Sequence, residues 1–342
     1  MTGRAATVWL GRMQAAYIRR TGPPEVIEYG TLPDPVPGPG QCLVRVRAVD
    51  VNPIDVYVRA GMVPAPLQFP YILGRDLAGE VVAVGAEVRR FKPGDRVWAT
   101  SQGFAGRPGT FAELAVVDED WLYPIPEGVG DEEIVALSLV AVTAHLALFR
   151  CARVCAGETV VIHGAGGGVG SAALQMARLT GARVIATAGS EEKVSACRAL
   201  GADLALDYRT ANLESAIRAF APEGVQVWIE TGRNPNFDLS VGLLGLRGRM
   251  VLLAGREARP AFPVGPFYVK DATLYGFAMF NASAAEIRPA AEQINQWAAQ
   301  KRLQMRIAHV LPLAEAARAH RMQEESTVHG TYSLHGKIVL RP

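Results

Sequence analysis

The chain has 342 residues, enough for two domains at about 150 residues each. With 49% hydrophobic and 20% charged residues, whole-chain disorder is excluded. Thirty-five basic against 33 acidic side chains leave a formal charge of +2, no electrostatic footprint for nucleic acid or for an anionic membrane.

The opening MTGRAATVWLGR carries an apolar run too short for a signal peptide, and no segment is expected to reach the length of a membrane span. Met13 leads into AAYIRR, which reads as a strand, so residues 1–12 are taken as an extension or an upstream start. Up to about residue 135 the pattern is β. QCLVRVRAVDV at 41–51 alternates with period two, and AGEVVAVGAEV, DRVWAT and FAELAVV supply further short strands. Six prolines between Pro23 and Pro39 exclude a helix there.

From about Glu158 the period changes. TVVIH, RVIATA, DLALD, VQVWIE and RMVLLAG read as apolar strands. Helical SAALQMARLTGA, EEKVSACRALGA, ANLESAIRAF and NFDLSVGLLGL lie between them. This alternation predicts βαβ units and a parallel, doubly wound sheet. The tail holds a strand (ATLYGFA), a long helix (ASAAEIRPAAEQINQWAAQKR), IAHVLP, a second helix and KIVL; it is expected to return to the first domain.

The strongest signal is HGAGGGVG, His163 to Gly170, after a strand and before a helix. Glycines there let backbone N–H groups approach a pyrophosphate, and the helix N-terminus adds its positive dipole end. The second strand ends in Ala188-Gly189-Ser190, without the acid that usually meets the ribose hydroxyls of NAD. Ser190 and Lys193 suit a 2′-phosphate, which predicts NADPH. Glu191 and Glu192 read as first-turn helix acids, with a turn toward the ribose as the alternative.

A catalytic zinc needs three protein ligands. The first 144 residues contain no His and one Cys, Cys42. Cys151 and Cys155 have no second ligand pair near them in sequence, and the four cysteines are too scattered for a disulfide framework. No metal is expected, and the compartment expected is the cytoplasm. In VNPIDVYVRAG, Asn52-Pro53 starts a turn and Asp55 with Arg59 is placed to pair across one helical turn. Tyr57 suits half-buried packing or a role at a site. GRDLAGEV, from Gly74, carries the same ambiguity.

VNPID, GRDLAGEV, HGAGGGVG, TAGSEEK, LDYR and the closing GKIVL, in this order, resemble the medium-chain dehydrogenase/reductases. Among these the chain is most similar to the zinc-free, zeta-crystallin-like NADPH:quinone oxidoreductases, from about Met13 to the C-terminus. The resemblance implies an α/β fold: a GroES-like β-rich catalytic domain (1–137 and 272–342) and a doubly wound Rossmann cofactor domain (138–271). The ligands of zinc-dependent members fall at Asn52 and Arg75. The resemblance implies Tyr57 beside the cofactor, and Gly166, Gly167, Gly168 and Val169 on the pyrophosphate. It puts Gly189, Ser190, Lys193 and Tyr208 around the adenosine ribose and its phosphate. Asn234, the Ala254–Gly255 turn and Phe277, Ala278 and Met279 line the rest, and Thr143 lies near the nicotinamide. Family members pair through edge strands, so MVLLAG and TLYGFA are candidate strands of a homodimer. Arg59 to Pro64 lacks the tyrosine of the enoyl-thioester reductases.

The expected activity is hydride transfer from NADPH to a quinone or similar small-molecule acceptor, with Tyr57 and Asn52 orienting it; neither nucleic acid nor membrane is an expected partner. Enone or alkenal reduction and a non-catalytic NADPH-binding protein are the alternatives.

Overall fold

The computed structural model describes residues 11–64 and 66–342; the proposed N-terminal extension lies almost entirely outside them. The chain forms two compact units, one running to Leu139 and resuming at Ile307, the other spanning Val140–Arg306. The first contains β1 (Arg12–Ile18), β2 (Ile27–Pro33), β3 (Gln41–Val51), α1 (Pro53–Arg59), β4 (Tyr71–Ile72), β5 (Leu77–Val84), β6 (Arg96–Ala99), β7 (Leu114–Asp118) and β8 (Leu122–Pro124). β1 pairs with β2 and β4, while β3 pairs antiparallel with β5 and β7 at the centre of a seven-stranded sheet. The period-two pattern of β3 has its expected cause. Cys42, Val44 and Val46 enter the core with Leu77, Val81, Val97 and Leu122, and Arg45 and Arg47 stay exposed.

A helix α2 (Asp131–His145) continues as a π-helical turn to Cys151. These 21 residues are long and apolar enough to cross a membrane, so the expectation that no segment reaches that length is corrected. Of the apolar window, 83% is buried inside the protein, the pattern of a core helix that is apolar on all sides.

The second unit then alternates β9 (Thr159–His163), α3 (Gly168–Leu179), β10 (Arg183–Ala188), α4 (Glu191–Ala199), β11 (Leu204–Asp207), α5 (Leu213–Phe220), β12 (Val225–Glu230), α6 (Phe237–Leu243), β13 (Leu244–Leu252), α7 (Val264–Tyr268), β14 (Thr273–Gly276) and α8 (Ala284–Ala299). The six strands are all parallel, in the order β11-β10-β9-β12-β13-β14, the doubly wound arrangement. Chain direction across the sheet reverses between β9 and β12, which is the switch point where such sheets bind ligands.

Two expectations about this unit change. The return to the first unit comes at Ile307 rather than at residue 272, because β14 adds to β13 and extends the cofactor sheet. MVLLAG is not an edge strand: β13 lies between β12 and β14, so of the two candidates only TLYGFA stands at an edge. The chain closes with β15 (Ile307–Pro312), α9 (Ala316–Glu324) and β16 (Lys337–Arg341), the last pairing antiparallel with β3.

Candidate active site

At the carboxyl end of β9 the glycine segment turns into α3, with Gly167 as N-cap. The first helical bond in this stretch runs from the Ser171 N–H to the Gly167 carbonyl, 2.9 Å. The N–H groups of Gly168, Val169 and Gly170 therefore have no partner inside the helix and are available to an anion. Gly166 is needed for a close approach. A Cβ there would lie 2.8 Å from Cβ of Lys193, whose stem packs over the loop.

Ser190 caps α4 with a long contact, 3.4 Å, from the Lys193 N–H. Lys193 is half-buried, and burial, then the neighbouring Arg209 guanidinium, lower its ammonium below the usual range. Arg209 is exposed at the turn after β11, its backbone N–H donating to Asp207 Oδ1 at 2.8 Å. Tyr208 packs against Gly189, where a Cβ would stand 2.3 Å from the phenol oxygen. The structure thus brings together Gly166, Gly189, Ser190, Lys193 and Tyr208, and adds Arg209. The two acids left ambiguous by sequence are engaged elsewhere: Glu191 with Arg198 at 2.8 Å and Glu192 with Arg306 at 3.5 Å.

In the first unit Asn52 lies at the N-cap of α1 and is fully buried. Its Nδ2 donates to Asp50 Oδ1 (3.1 Å) and Asp76 Oδ2 (2.8 Å), and its Oδ1 accepts from Lys337 Nζ at 2.6 Å. All of its amide's bonding directions are spent inside the protein, so the expected orienting role of Asn52 toward an acceptor is withdrawn. Asp55 and Arg59 do not pair with each other either. Asp55 accepts the Asn52 N–H at 2.9 Å and faces Arg75 at 3.6 Å; Arg59, also fully buried, meets Glu324 at 2.8 Å. Tyr57 sits half-buried on the same short helix.

Around Asn52 the polar cluster sets buried cations among buried carboxyls. Lys337 pairs with Asp50 at 2.6 Å. Burial and the Asp50 carboxylate together raise Asp76 well above the usual carboxyl range. Burial also pushes Asp55 up to about 6, against the opposing pull of Arg75. Arg75 Nη1 donates to Tyr71 OH (2.7 Å), to the Gln102 carbonyl (3.1 Å) and to the Gly103 carbonyl. A zinc ion does not fit these residues. Two buried cations stand among the carboxylates, and the amide at 52 is in use. Among the described residues no group of three His, Cys, Asp or Glu is arranged to hold a metal.

The remaining positions are dispersed over the second unit. Thr143 is half-buried on α2, and Asn234 is exposed in the loop after β12. Gly255, with φ +85°, approaches the Arg233 carbonyl and Pro235, so the Ala254–Gly255 turn lies beside Asn234. Phe277 follows β14 under the Arg150 guanidinium, 5.2 Å from the ring centre; Ala278 is exposed and Met279 buried. Sequence reasoning quoted LDYR but passed over Arg209, and it had no local signal for Lys337, which reaches Asn52 across 285 positions.

This architecture has known relatives. Residues 38–127 match the alcohol dehydrogenase GroES-like domain and residues 168–296 the zinc-binding dehydrogenase family. A quinone oxidoreductase from Sus scrofa is 34% identical over 330 residues, 96% of this chain and 97% of its own. The chain belongs to the quinone oxidoreductase family of the medium-chain dehydrogenase/reductases. It is an oxidoreductase of that type, with the GroES-like and Rossmann parts already described. Two solved structures cover 96% of this chain and all of their own. One is an NAD-dependent alcohol dehydrogenase (32% identity, TM-score 0.87) and the other a mycobacterial protein complexed with NADPH (29%, TM-score 0.83).

Proposed function

We propose that this member is an NADPH-dependent, zinc-independent reductase that transfers hydride to a quinone or similar electron-poor acceptor. Its relatives differ in named cofactor, NAD in one structure and NADPH in the other, so the choice rests on this chain's residues. The carrying observation is the Lys193–Arg209 cation pair beside Ser190 and Tyr208 at the end of β10, with Glu191 and Glu192 engaged by arginines. Two cations and a hydroxyl suit a 2′-phosphate, and the free N–H groups at the start of α3 suit the pyrophosphate.

When bound, NADPH supplies a hydride from C4 of its dihydronicotinamide. The chain's own residues then bind, orient and exclude. Asn234, the Ala254–Gly255 turn, Phe277, Ala278, Met279 and Thr143 are assigned to the rest of the dinucleotide. With no metal to polarise the acceptor, Tyr57 is assigned to its developing oxyanion. Asn52 instead fixes the start of α1, and so where Tyr57 stands. A quinone is easily reduced and asks little acid catalysis, which suits a site poor in exposed titratable groups. The four free cysteines suit a reducing compartment such as the cytoplasm.

Purified protein tested for NADPH and NADH oxidation with quinones, enones and alkenals decides the matter. Quinone turnover preferring NADPH is expected. Turnover only with enones would replace the acceptor, and no turnover in any arm would leave a binding protein.

A further inference from the structure

A histidine and a carboxylate that the proposed chemistry does not use lie at the ends of the two strands flanking the switch point. His163 is the last residue of β9, immediately before the glycine loop, and Glu230 is the last of β12. These strands pair in parallel, with His163 opposite Glu230. The ring Nδ1 meets Thr187 Oγ1, at the end of β10, at 2.8 Å, and Nε2 faces Glu230 Oε1 at 3.9 Å. One face of the imidazole stacks on Trp228, 6.1 Å between centres, and Tyr208 tilts against it at 5.3 Å. The histidine carbonyl accepts the Thr231 hydroxyl (2.7 Å) and N–H (3.2 Å), which ties the loop to the start of the next segment.

Glu230 is 2% exposed and accepts from Trp228 Nε1 at 3.1 Å and from the Gly232 N–H at 2.7 Å. Burial raises its carboxyl above the usual range; the imidazole, the Gly232 N–H and the indole pull the other way. A buried carboxylate opposite the strand end that leads into the glycine loop disfavours an anion bound there, unless a proton joins the pair when the anion arrives.

We propose that His163 and Glu230 form a proton-linked brace under the dinucleotide site, which takes up a proton from solvent when NADPH binds. The inference rests on the proposed cofactor reading. His163 faces Glu230 from β12, Thr187 from β10 and the Tyr208 phenol from the turn after β11. The other charges nearby are Lys193 on α4, and Asp207 and Arg209 beside Tyr208; Arg233 follows Gly232 in the chain. Phosphates placed over the loop favour the protonated pair by simple attraction, and reciprocity requires the proton to favour the phosphates equally. His163 and Glu230 are positioning residues in this scheme, since neither is assigned to the reacting atoms.

The test is calorimetric titration of NADPH into the full chain at pH 7, in buffers of differing protonation enthalpy. It is accompanied by the dissociation constant across pH 6 to 8 from the fluorescence of bound NADPH. Wild type is expected to take up a fraction of a proton, and its affinity to fall by up to about tenfold per pH unit, the limit for one linked proton. Glu230→Gln and His163→Asn are expected to bind NADPH with that uptake lost. The difference between wild type and variants cancels the titration of the 2′-phosphate itself. Should Glu230→Gln fail to fold, His163→Asn suffices, because the histidine side chain is 20% exposed. Equal proton uptake in wild type and variants, or none in wild type that binds NADPH, overturns the brace. A wild type that does not bind NADPH overturns the cofactor reading, and the brace with it.

Discussion

Replacing Lys337 by methionine keeps the stem in place and removes the ammonium from a site where the residue is only 5% exposed. The ion pair to Asp50 and the bond to Asn52 Oδ1, both 2.6 Å, are lost together. What remains is a buried Asp50 carboxylate beside Asp76 and a buried amide oxygen without its donor. Removing one partner of a buried pair costs about 3–5 kcal/mol, a large part of a typical domain's total stability. The deficit should depend on pH. Burial and the Asp50 carboxylate raise Asp76 in the folded chain and loss of the Lys337 ammonium raises it further, so stability falls as pH rises from about 4 through its raised folded value. The same sign holds in wild type for Asp55, whose folded value is about 6: stability is lost as pH climbs toward it. Calorimetry suits a chain of two units, which need not unfold in one step. The Lys337→Met deficit should be largest at pH 8 and smaller at pH 5. Adding Asp50→Asn should recover part of it by removing the stranded charge. A loss under about 1 kcal/mol, or one that does not change with pH, would refute the buried-pair account.

Lys193→Ala and Arg209→Ala should each weaken NADPH by about 1–3 kcal/mol, the range for a charge-assisted hydrogen bond, and leave NADH nearly unchanged in a binding titration. Equal losses for both cofactors would mean that neither side chain reads the phosphate. Tyr57→Phe should lower quinone turnover by no more than roughly 10²-fold, with NADPH affinity intact; complete loss would make the phenol an obligatory acid. Elemental analysis should find no stoichiometric zinc, and activity should survive chelators, because Arg75 and Lys337 occupy the region with positive charge. Leu246, Val264, Tyr268 and Val269 are each more than 60% exposed around the edge strand β14, an apolar surface suited to a second copy. Pairing through this face predicts a dimer in light scattering for the wild type and a monomer for Leu246→Asp with Val269→Asp; a monomeric wild type, or an unchanged dimer mass in the variant, refutes it.

What the residues determined by themselves was much of what depends on local periodicity. The period-two run of β3 begins and ends where the strand does, and TVVIH, RVIATA and VQVWIE match β9, β10 and β12 residue for residue. The glycine loop was legible because its chemistry is backbone chemistry, set by consecutive residues between a strand and a helix. Where neighbours in sequence were asked to be neighbours in space, the reading failed. Asp55 and Arg59 sit one helical turn apart, yet each finds its partner on another element, Arg75 and Glu324. Asn52 looked like a polar group poised at a turn, and only the long-range contact with Lys337 on the last strand shows it to be consumed in the core. The end of the cofactor unit was misplaced for a related reason. The βαβ pattern legible in the sequence ends at RMVLLAG, but membership of a sheet is decided by which strand lies alongside, and β14 lies alongside β13. Periodicity encodes which face of an element is buried; the partners of a buried charge, and the neighbours of a strand, are settled only when distant parts of the chain compete for the same low-dielectric space.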